Sequence, residues 1–346
     1  MSLHDLAAGA LTALDPEPAH GLAIAALRAG LGPRARVCDP ILATDLAGLA
    51  LPNCLGLAAG FDKNAQVFGP MLRAGFGFVE CGTVTPRPQA GNPRPRMFRL
   101  PQDRGVINRL GFNNLGLEAF AERLGRGRPG IVGANIGANK DAADRIGDYV
   151  TGLERLWGLA DYFTLNISSP NTPGLRLLQT RAALDELLGR VGEARDALPA
   201  QGRAPLFLKI APDLEAGEPA AIVEACVAHG LAGIIVSNTT VSRPALASAA
   251  RGEAGGLSGG PLFDLSTRVL GEVHAAAAGR LALIGAGGVA SGAQAYAKIR
   301  AGAQAVQLYS ALAFEGPGLV GRIQRDLAQR LRADGFRSAA EAVGAA

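Results

Sequence analysis

The sequence predicts an α/β protein, a (β/α)8 TIM barrel with a two-helix extension at its N-terminus. Three observations point there. Eight short apolar runs recur between residues 54 and 309, most of them leading into a cluster of Gly, Asn, Ser or Thr. A segment with helical spacing of its apolar residues follows each run, and the runs themselves are nearly continuous rather than alternating. Continuous apolar strands separated by helices describe a parallel sheet buried on both faces. Eight such units in about 290 residues have the count and size of a closed barrel. A doubly wound open sheet is the alternative, but it seldom needs eight evenly spaced units.

In chain order, residues 1–37 come first and stand outside this pattern. Leu3, Leu6, Ala10 and Leu14 recur at helical spacing, and after "DPEPAH" a second stripe follows at Leu22, Ala25, Ala26 and Ala29, with Leu27 and Leu31 beside it. Asp15 then reads as a helix cap with Pro16 in the first helical position. This extension is either a hairpin packed on the barrel or an interfacial module that touches a membrane. Residues 38–346 form the barrel domain. Its strands are expected at 54–58, 76–81, 131–135, 162–166, 205–210, 233–237, 281–286 and 305–309. The helices are expected at 66–74, 117–124, 142–158, 180–198, 219–229, 265–278, 291–300 and 319–334. Two connections, 85–116 and 238–264, are too long for turns and are expected to wall or cover a site.

Composition bounds the function. The chain has 346 residues, 48% of them apolar, enough for a large core, and its 18% of charged residues are spread without a disordered block. A net charge of +4 suits an anionic substrate, a phosphate cofactor or an acidic membrane surface, while the lack of a basic run with interleaved aromatics argues against nucleic acid. Cys38, Cys54, Cys81 and Cys226 form no C-x-x-C, so buried thiols in a reducing compartment are expected rather than an iron–sulfur or zinc site. His4, His20, His229 and His274 are equally scattered, which removes the commonest general base from the strand ends. No Arg or Lys precedes Arg28 and no uninterrupted apolar stretch reaches about 18 residues, so neither a targeting peptide nor a membrane span is expected and the chain is placed inside the cell.

Chemistry collects where barrel active sites lie, at the C-terminal ends of the strands. These read "AAGFDKN" (58–64), "CGTVT" (81–85), "GANIGAN" (133–139), "NISSPNT" (166–172), "LKIAPD" (208–213), "SNTT" (237–240), "GAGGV" (285–289) and "YSAL" (309–312). Hydrogen-bonding residues coincide with nearly every strand end, which is the signature of a ligand site. "GAGGV", with Ser291 opening a helix beyond it and Tyr309-Ser310 beside it, is a phosphate nest where barrels commonly carry one. Lys63 and Lys209 are functional candidates because lysine is seldom buried without a partner; the plain alternatives are ion pairs with Asp62 and Asp213. A lysine near N1 of a flavin would stabilise the reduced ring. Six asparagines, Asn108, Asn113, Asn135, Asn166, Asn171 and Asn238, suit a neutral, amide-rich, uracil-like substrate.

On these residues the chain resembles the dihydroorotate dehydrogenases, flavoproteins of pyrimidine synthesis, and among them the class 2, quinone-linked kind. The resemblance runs from about residue 14 to about residue 320, through "LDPEPAHGLAI", "AAGFDKN", "GNPRPRMFRL", "INRLGFNN", "NISSPNTPGLR", "SNTT", "GGLSG" and "GAGGV". It implies oxidation of (S)-dihydroorotate to orotate, with electrons passed to a membrane quinone. It implies FMN held by Ala59, Gly60, Phe61, Asp62, Lys63, Thr83, Asn135, Asn166, Lys209, Ser237, Gly259, Gly288, Tyr309 and Ser310. Dihydroorotate would contact Lys63, Asn108, Arg109, Leu110, Gly111, Phe112, Asn166, Asn171, Asn238 and Thr239, and Ser169 matches the family's base. The extension matches the part that meets the membrane and forms the quinone tunnel, with His20 and Arg99 lining it. The resemblance also implies a peripheral protein on the cytoplasmic face of the cell membrane, with no iron–sulfur partner subunit. Two departures stand out: Gly260 where many relatives carry a basic or polar residue, and Ser237 where threonine is common. The soluble class 1 enzymes, which use fumarate or NAD, are opposed by Ser169 and by the extension. A catalytically dead scaffold is opposed by Lys63, Ser169 and Lys209.

Overall fold

The computed structural model describes residues 3–35, 39–172 and 174–345. Cys38, the expected domain boundary at residues 37 and 38, and the side chains of Leu3 and Leu6 lie outside what is described. Eight parallel strands close into a barrel in chain order: Leu55–Leu57, Phe78–Val84, Ile131–Ile136, Tyr162–Asn166, Leu206–Ile210, Gly233–Val236, Ala282–Ala286 and Ala305–Leu308. Each lies within two or three residues of its expected run, and the expected (β/α)8 architecture is borne out. The helices follow as well; Leu117–Leu124 is one of them, and Arg181–Ala197 and Leu319–Ala333 differ from expectation only at their ends.

The inside of the barrel is built from a lateral rule. Gly56 pairs in register with Phe78, Gly133 with Tyr162 and Gly233 with Phe207. A Cβ at any of these three glycines would fall about 2.1–2.5 Å from the neighbouring ring. Each aromatic side chain therefore lies over the bare backbone of the next strand, and three rings fit where branched residues would leave no room. With Ile235, Ile284 and Ala305 they form a dry layer, closed from below by the antiparallel hairpin Thr44–Leu46/Leu49–Leu51 through Leu46 and Leu51.

Two residues further along the strands, above this layer, the interior turns polar. Glu80 is fully buried and accepts hydrogen bonds from Asn135 Nδ2 (2.7 Å), Gln307 Nε2 (2.8 Å) and the Tyr162 hydroxyl (3.2 Å). A buried carboxylate is tolerable only when satisfied in this way. This layer is the floor on which the site stands.

The two long connections do more than wall the site. Met97–Leu100, Gly105–Asn108 and Gly256–Gly259 join into a three-stranded antiparallel sheet across the barrel mouth, with Leu100, Ile107 and Leu257 as its own small core. Of the N-terminal helices, Pro16–Arg28 packs against the Met97–Leu100 strand of this sheet and Leu3–Leu11 against the short helix Leu312–Glu315. Asp5 holds the amide of Gly318 and the guanidinium of Arg322, and Glu17 receives Arg96 and Arg94. Pro16 does open the second helix, although the side chain of Asp15 makes no capping bond. Ala19 and Leu27 face inward, while Leu14, Leu22 and Leu31 stay 44%, 52% and 68% exposed.

Candidate active site

A continuous cavity of about 710 Å³ runs from the polar floor, past the strand ends, to a mouth between the two N-terminal helices. Its inner part is lined by Gly60, Thr83, Lys209, Ser237, Gly259, Gly288 and Tyr309, its middle by Lys63, Asn108, Phe112, Asn166, Ser169 and Asn238, and its outer part by Leu11, Pro16, Ala19, His20, Ala23, Leu27 and Leu31.

At the floor, Lys209 is buried at the end of an apolar strand, and burial holds its ammonium below the usual lysine range, opposed only by the field of Glu80. The alternative pair with Asp213 does not form. Asp213 is taken instead by Arg176 (2.9 Å), Thr240, Ser242 and the Val241 amide. Lys63 likewise does not pair with Asp62. Its Nζ donates to Asn113 Oδ1 at 2.6 Å, and burial, then the Arg96 guanidinium, lower it to about 8. Two lysines thus face one cavity with their charge uncompensated by a contacting carboxylate among the described residues, which is a site prepared for an anionic ligand.

The segment that ends the fourth barrel strand is tightly organised. Asn166 donates to Thr83 Oγ1 (2.8 Å), and its Oδ1 receives Ser168 Oγ and Asn238 Nδ2. Ser169, 6% exposed, accepts the Asn171 amide at 3.3 Å, and Asn171 Nδ2 donates to Asn108 Oδ1. Arg176 clamps this loop to its neighbour by donating to the carbonyls of Ser168 and Thr239 while pairing with Asp213. Asn166, Asn171 and Asn238 line the cavity around this one serine hydroxyl, and each side chain carries both a donor and an acceptor.

On the opposite wall, Gly287 and Gly288 adopt φ of +102° and +79°, and a Cβ on Gly288 would meet Phe263 at 2.5 Å. Ser291 caps the helix Gly292–Arg300 by accepting the Gln294 amide. A positively polarised glycine turn with a capped helix start is a phosphate cradle. Cavity size, cradle and floor lysine together fit a flavin mononucleotide: phosphate at one end and a planar ring at the other.

Not every expected site residue faces the cavity. Among those assigned to the cofactor, Asp62 turns away and accepts the amides of Gln66 and Val67 (2.7 Å each), fixing the loop that carries Lys63. Asn135 lies beneath, bridging Glu80 and Thr83. Arg109, assigned to substrate, points outward to Glu253 and over the Phe98 ring. Of the six asparagines, Asn108, Asn166, Asn171 and Asn238 line the cavity, while Asn113 and Asn135 stand behind it. Leu110, Gly111, Thr239, Ala59, Phe61 and Ser310 line it as well. Glu80, Arg176 and Gln307 were not singled out from sequence. The signal available was their type: charged or amide residues inside or beside apolar strands.

Near the mouth, His20 lies edge-on to Phe61 (5.2 Å between ring centres) and beside Tyr309 (6.2 Å). Burial, reinforced by the Lys63 ammonium, pushes its imidazole down to about 4, so it is neutral at ordinary pH. Arg99 lines the cavity but also donates to the carbonyls of Leu11, Thr12 and Leu14, closing the end of the first helix. Cys54, Cys81 and Cys226 are buried, and among the described residues no group of His, Cys, Asp and Glu could hold a metal ion.

The chain is similar to known proteins over its whole length. A family model described as dihydroorotate dehydrogenase matches residues 41–331. A curated relative from Parvibaculum lavamentivorans, named dihydroorotate dehydrogenase (quinone), is 58% identical and covers 100% of this chain and 99% of its own. One from Azorhizobium caulinodans with the same name is 56% identical, over 100% and 99%. Among solved structures, a ligand-free DHODH from Eimeria tenella superposes with a TM-score of 0.93 at 39% identity, covering 96% of this chain and 99% of that one. The DHODH of the same organism in complex with ferulenol gives 0.92 at 38%, covering 96% and 95%.

Proposed function

The chain belongs to the dihydroorotate dehydrogenase family, and from that premise we propose how its own residues carry out the quinone-linked reaction of pyrimidine biosynthesis, in which dihydroorotate is oxidised to orotate. The observation that supports this reading best is the continuous cavity, polar and lysine-lined at its floor and apolar at its mouth. Gly60, Thr83, Lys209, Ser237, Gly259 and Gly288 in the inner part would hold FMN, which would supply hydride acceptance and two-electron transfer to a quinone.

The chain's contribution is binding, orientation and proton movement. Lys209, at the floor, balances negative charge on the ring. The amides of Asn108, Asn166, Asn171 and Asn238 match the donors and acceptors of a pyrimidine ring, and Lys63 attracts its carboxylate. Ser169 removes the C5 proton. Thr83 and Asn135, braced by Glu80, hold Asn166 in place. The N-terminal helices, residues 1–37, form a separate quinone-delivering extension to the barrel of residues 38–346. Their exposed leucines rest on the cytoplasmic face of the cell membrane, where His20 and Arg99 orient the quinone head. No helix among the described residues is long and apolar enough to cross a membrane.

Heat should release FMN from the purified protein, identified by mass. The Lys63→Ala variant should still carry it but bind orotate more weakly by about 1.5–3 kcal/mol, the worth of a charge-assisted contact. Unchanged orotate affinity in Lys63→Ala would reject this role for the lysine, and a protein free of flavin would reject the reading as a whole.

A further inference from the structure

Lys298 is a buried cation that none of the chemistry above employs. It lies on the helix Gly292–Arg300, is 0% exposed, and its Nζ donates to Ser266 Oγ at 2.6 Å. Its stem passes so close to the last strand before the glycine turn that a Cβ on Gly285 would come within 3.2 Å of Lys298 Cβ. Its ammonium lies 5.3 Å from the centre of the Phe263 ring. Among the charged groups of the packed elements, Asp264 is the one whose field reaches it, without forming an ion pair. A lysine removed from water on these terms needs a counter-charge from elsewhere.

Ser266 shows where that charge would sit. Its hydroxyl is shared between two carbonyls, those of Phe263 (3.0 Å) and Gly287 (3.1 Å). The Gly287 carbonyl is thus turned back toward Ser266. In a trans peptide the next N–H points the opposite way, so the amide of Gly288 is directed into the cavity that both glycines line. The order is ammonium, hydroxyl, carbonyl, amide, cavity. Each hydrogen bond polarises the next, which strengthens the last donor. A Cβ on Gly287 would lie 2.8 Å from Ser266 Oγ, so this contact requires glycine there.

We propose that Lys298 is the buried counter-cation of the cofactor phosphate, a positioning residue that acts through Ser266 and the Gly287–Gly288 peptide without touching the phosphate. This rests on the flavin mononucleotide reading of the cavity. Burial pushes the Lys298 ammonium down to about 7, and a phosphate dianion beyond the glycine turn raises it again. The sign of the linkage follows. The tightening due to Lys298 is fully present at a pH below the ligand-free value and is lost as pH rises through the ligand-bound value.

The experiment measures FMN dissociation from the full-length holoenzyme on dilution, by flavin fluorescence, across neutral to alkaline pH, in wild type, Lys298→Met and Lys298→Arg. The ³¹P resonance of the bound phosphate is followed in parallel. Lys63 titrates in the same range in all three proteins, so the difference between them is decisive. At neutral pH Lys298→Met should release FMN about fivefold more readily, since a roughly tenfold rise in the lysine's proton affinity on phosphate binding is about half expressed where the ligand-free lysine is half protonated. The extra alkaline weakening seen in wild type should be absent from both variants, with Lys298→Arg remaining tight, and Lys298→Met should displace the phosphorus resonance. Wild-type affinity and an unmoved resonance in Lys298→Met, or an alkaline weakening identical in all three, would overturn the proposal. A purified protein that carries no FMN would instead overturn the cofactor reading on which it rests.

Discussion

Replacing Ser169 by alanine is expected to leave the flavin bound while slowing its reduction by dihydroorotate roughly 10²–10⁴-fold, the usual worth of a positioned general base. The site offers few alternatives. Among the described residues, His4 and His20 are the histidines that line the cavity, and His20 sits toward the mouth against Phe61 and Tyr309. Ser169 lines the middle of the cavity, is almost fully buried, and accepts the Asn171 amide, which orients its hydroxyl. A serine hydroxyl is a poor base on its own, so its proton must pass on through a neighbour or a water as the C5 proton arrives. Removing Oγ takes away that acceptor and leaves the surrounding amides intact. Anaerobic stopped-flow reads the effect directly. A Ser169→Ala enzyme that reduces its flavin at the wild-type rate would show that the proton leaves by another route.

Loss of residues 1–37 is expected to abolish turnover with long-tailed quinones while dihydroorotate still reduces the flavin. The outer cavity is walled by Leu11, Ala19, Ala23, Leu27 and Leu31, so deletion opens it to water and removes the apolar path a hydrocarbon tail would follow. A small soluble dye should remain a competent acceptor. A gentler variant keeps the whole chain: Leu14, Leu22 and Leu31 are exposed, and replacing all three by serine should weaken binding to phospholipid vesicles. At about 1.5–3 kcal/mol for each leucine fully buried, even partial insertion predicts a loss of roughly 10²-fold or more. Equal vesicle binding, or equal quinone turnover after truncation, would reduce the extension to a structural role.

The barrel was legible because its strands are short, apolar and regularly punctuated, and because Leu117–Leu124 and Tyr162–Asn166 carry unmistakable period and length. The sheet across the mouth was not. Met97–Leu100 alternates weakly, and Gly256–Gly259 is half glycine; both become strands only through pairing with Gly105–Asn108. In that sheet Val106 and Ser258 meet across 152 positions of sequence, a contact no local pattern encodes. At the site, residues that end strands were visible from their type, whereas direction was not. Asp62, Asn135 and Arg109 are of suitable chemistry but are consumed by a loop, a floor and a surface pair. Glu80 was hidden by its setting, since a carboxylate inside a strand reads as a solvated edge until Asn135, Tyr162 and Gln307 are seen to converge on it.

The most direct test of quinone-linked dihydroorotate oxidation follows the visible absorbance of the flavin in the full-length protein without oxygen, adding first dihydroorotate and then a long-tailed quinone. Bleaching at the first addition and recovery of the oxidised spectrum at the second, with orotate formed in equal amount, is the expected result. A flavin that stays oxidised with dihydroorotate, or one that bleaches and is then reoxidised by fumarate or NAD but not by the quinone, would contradict it.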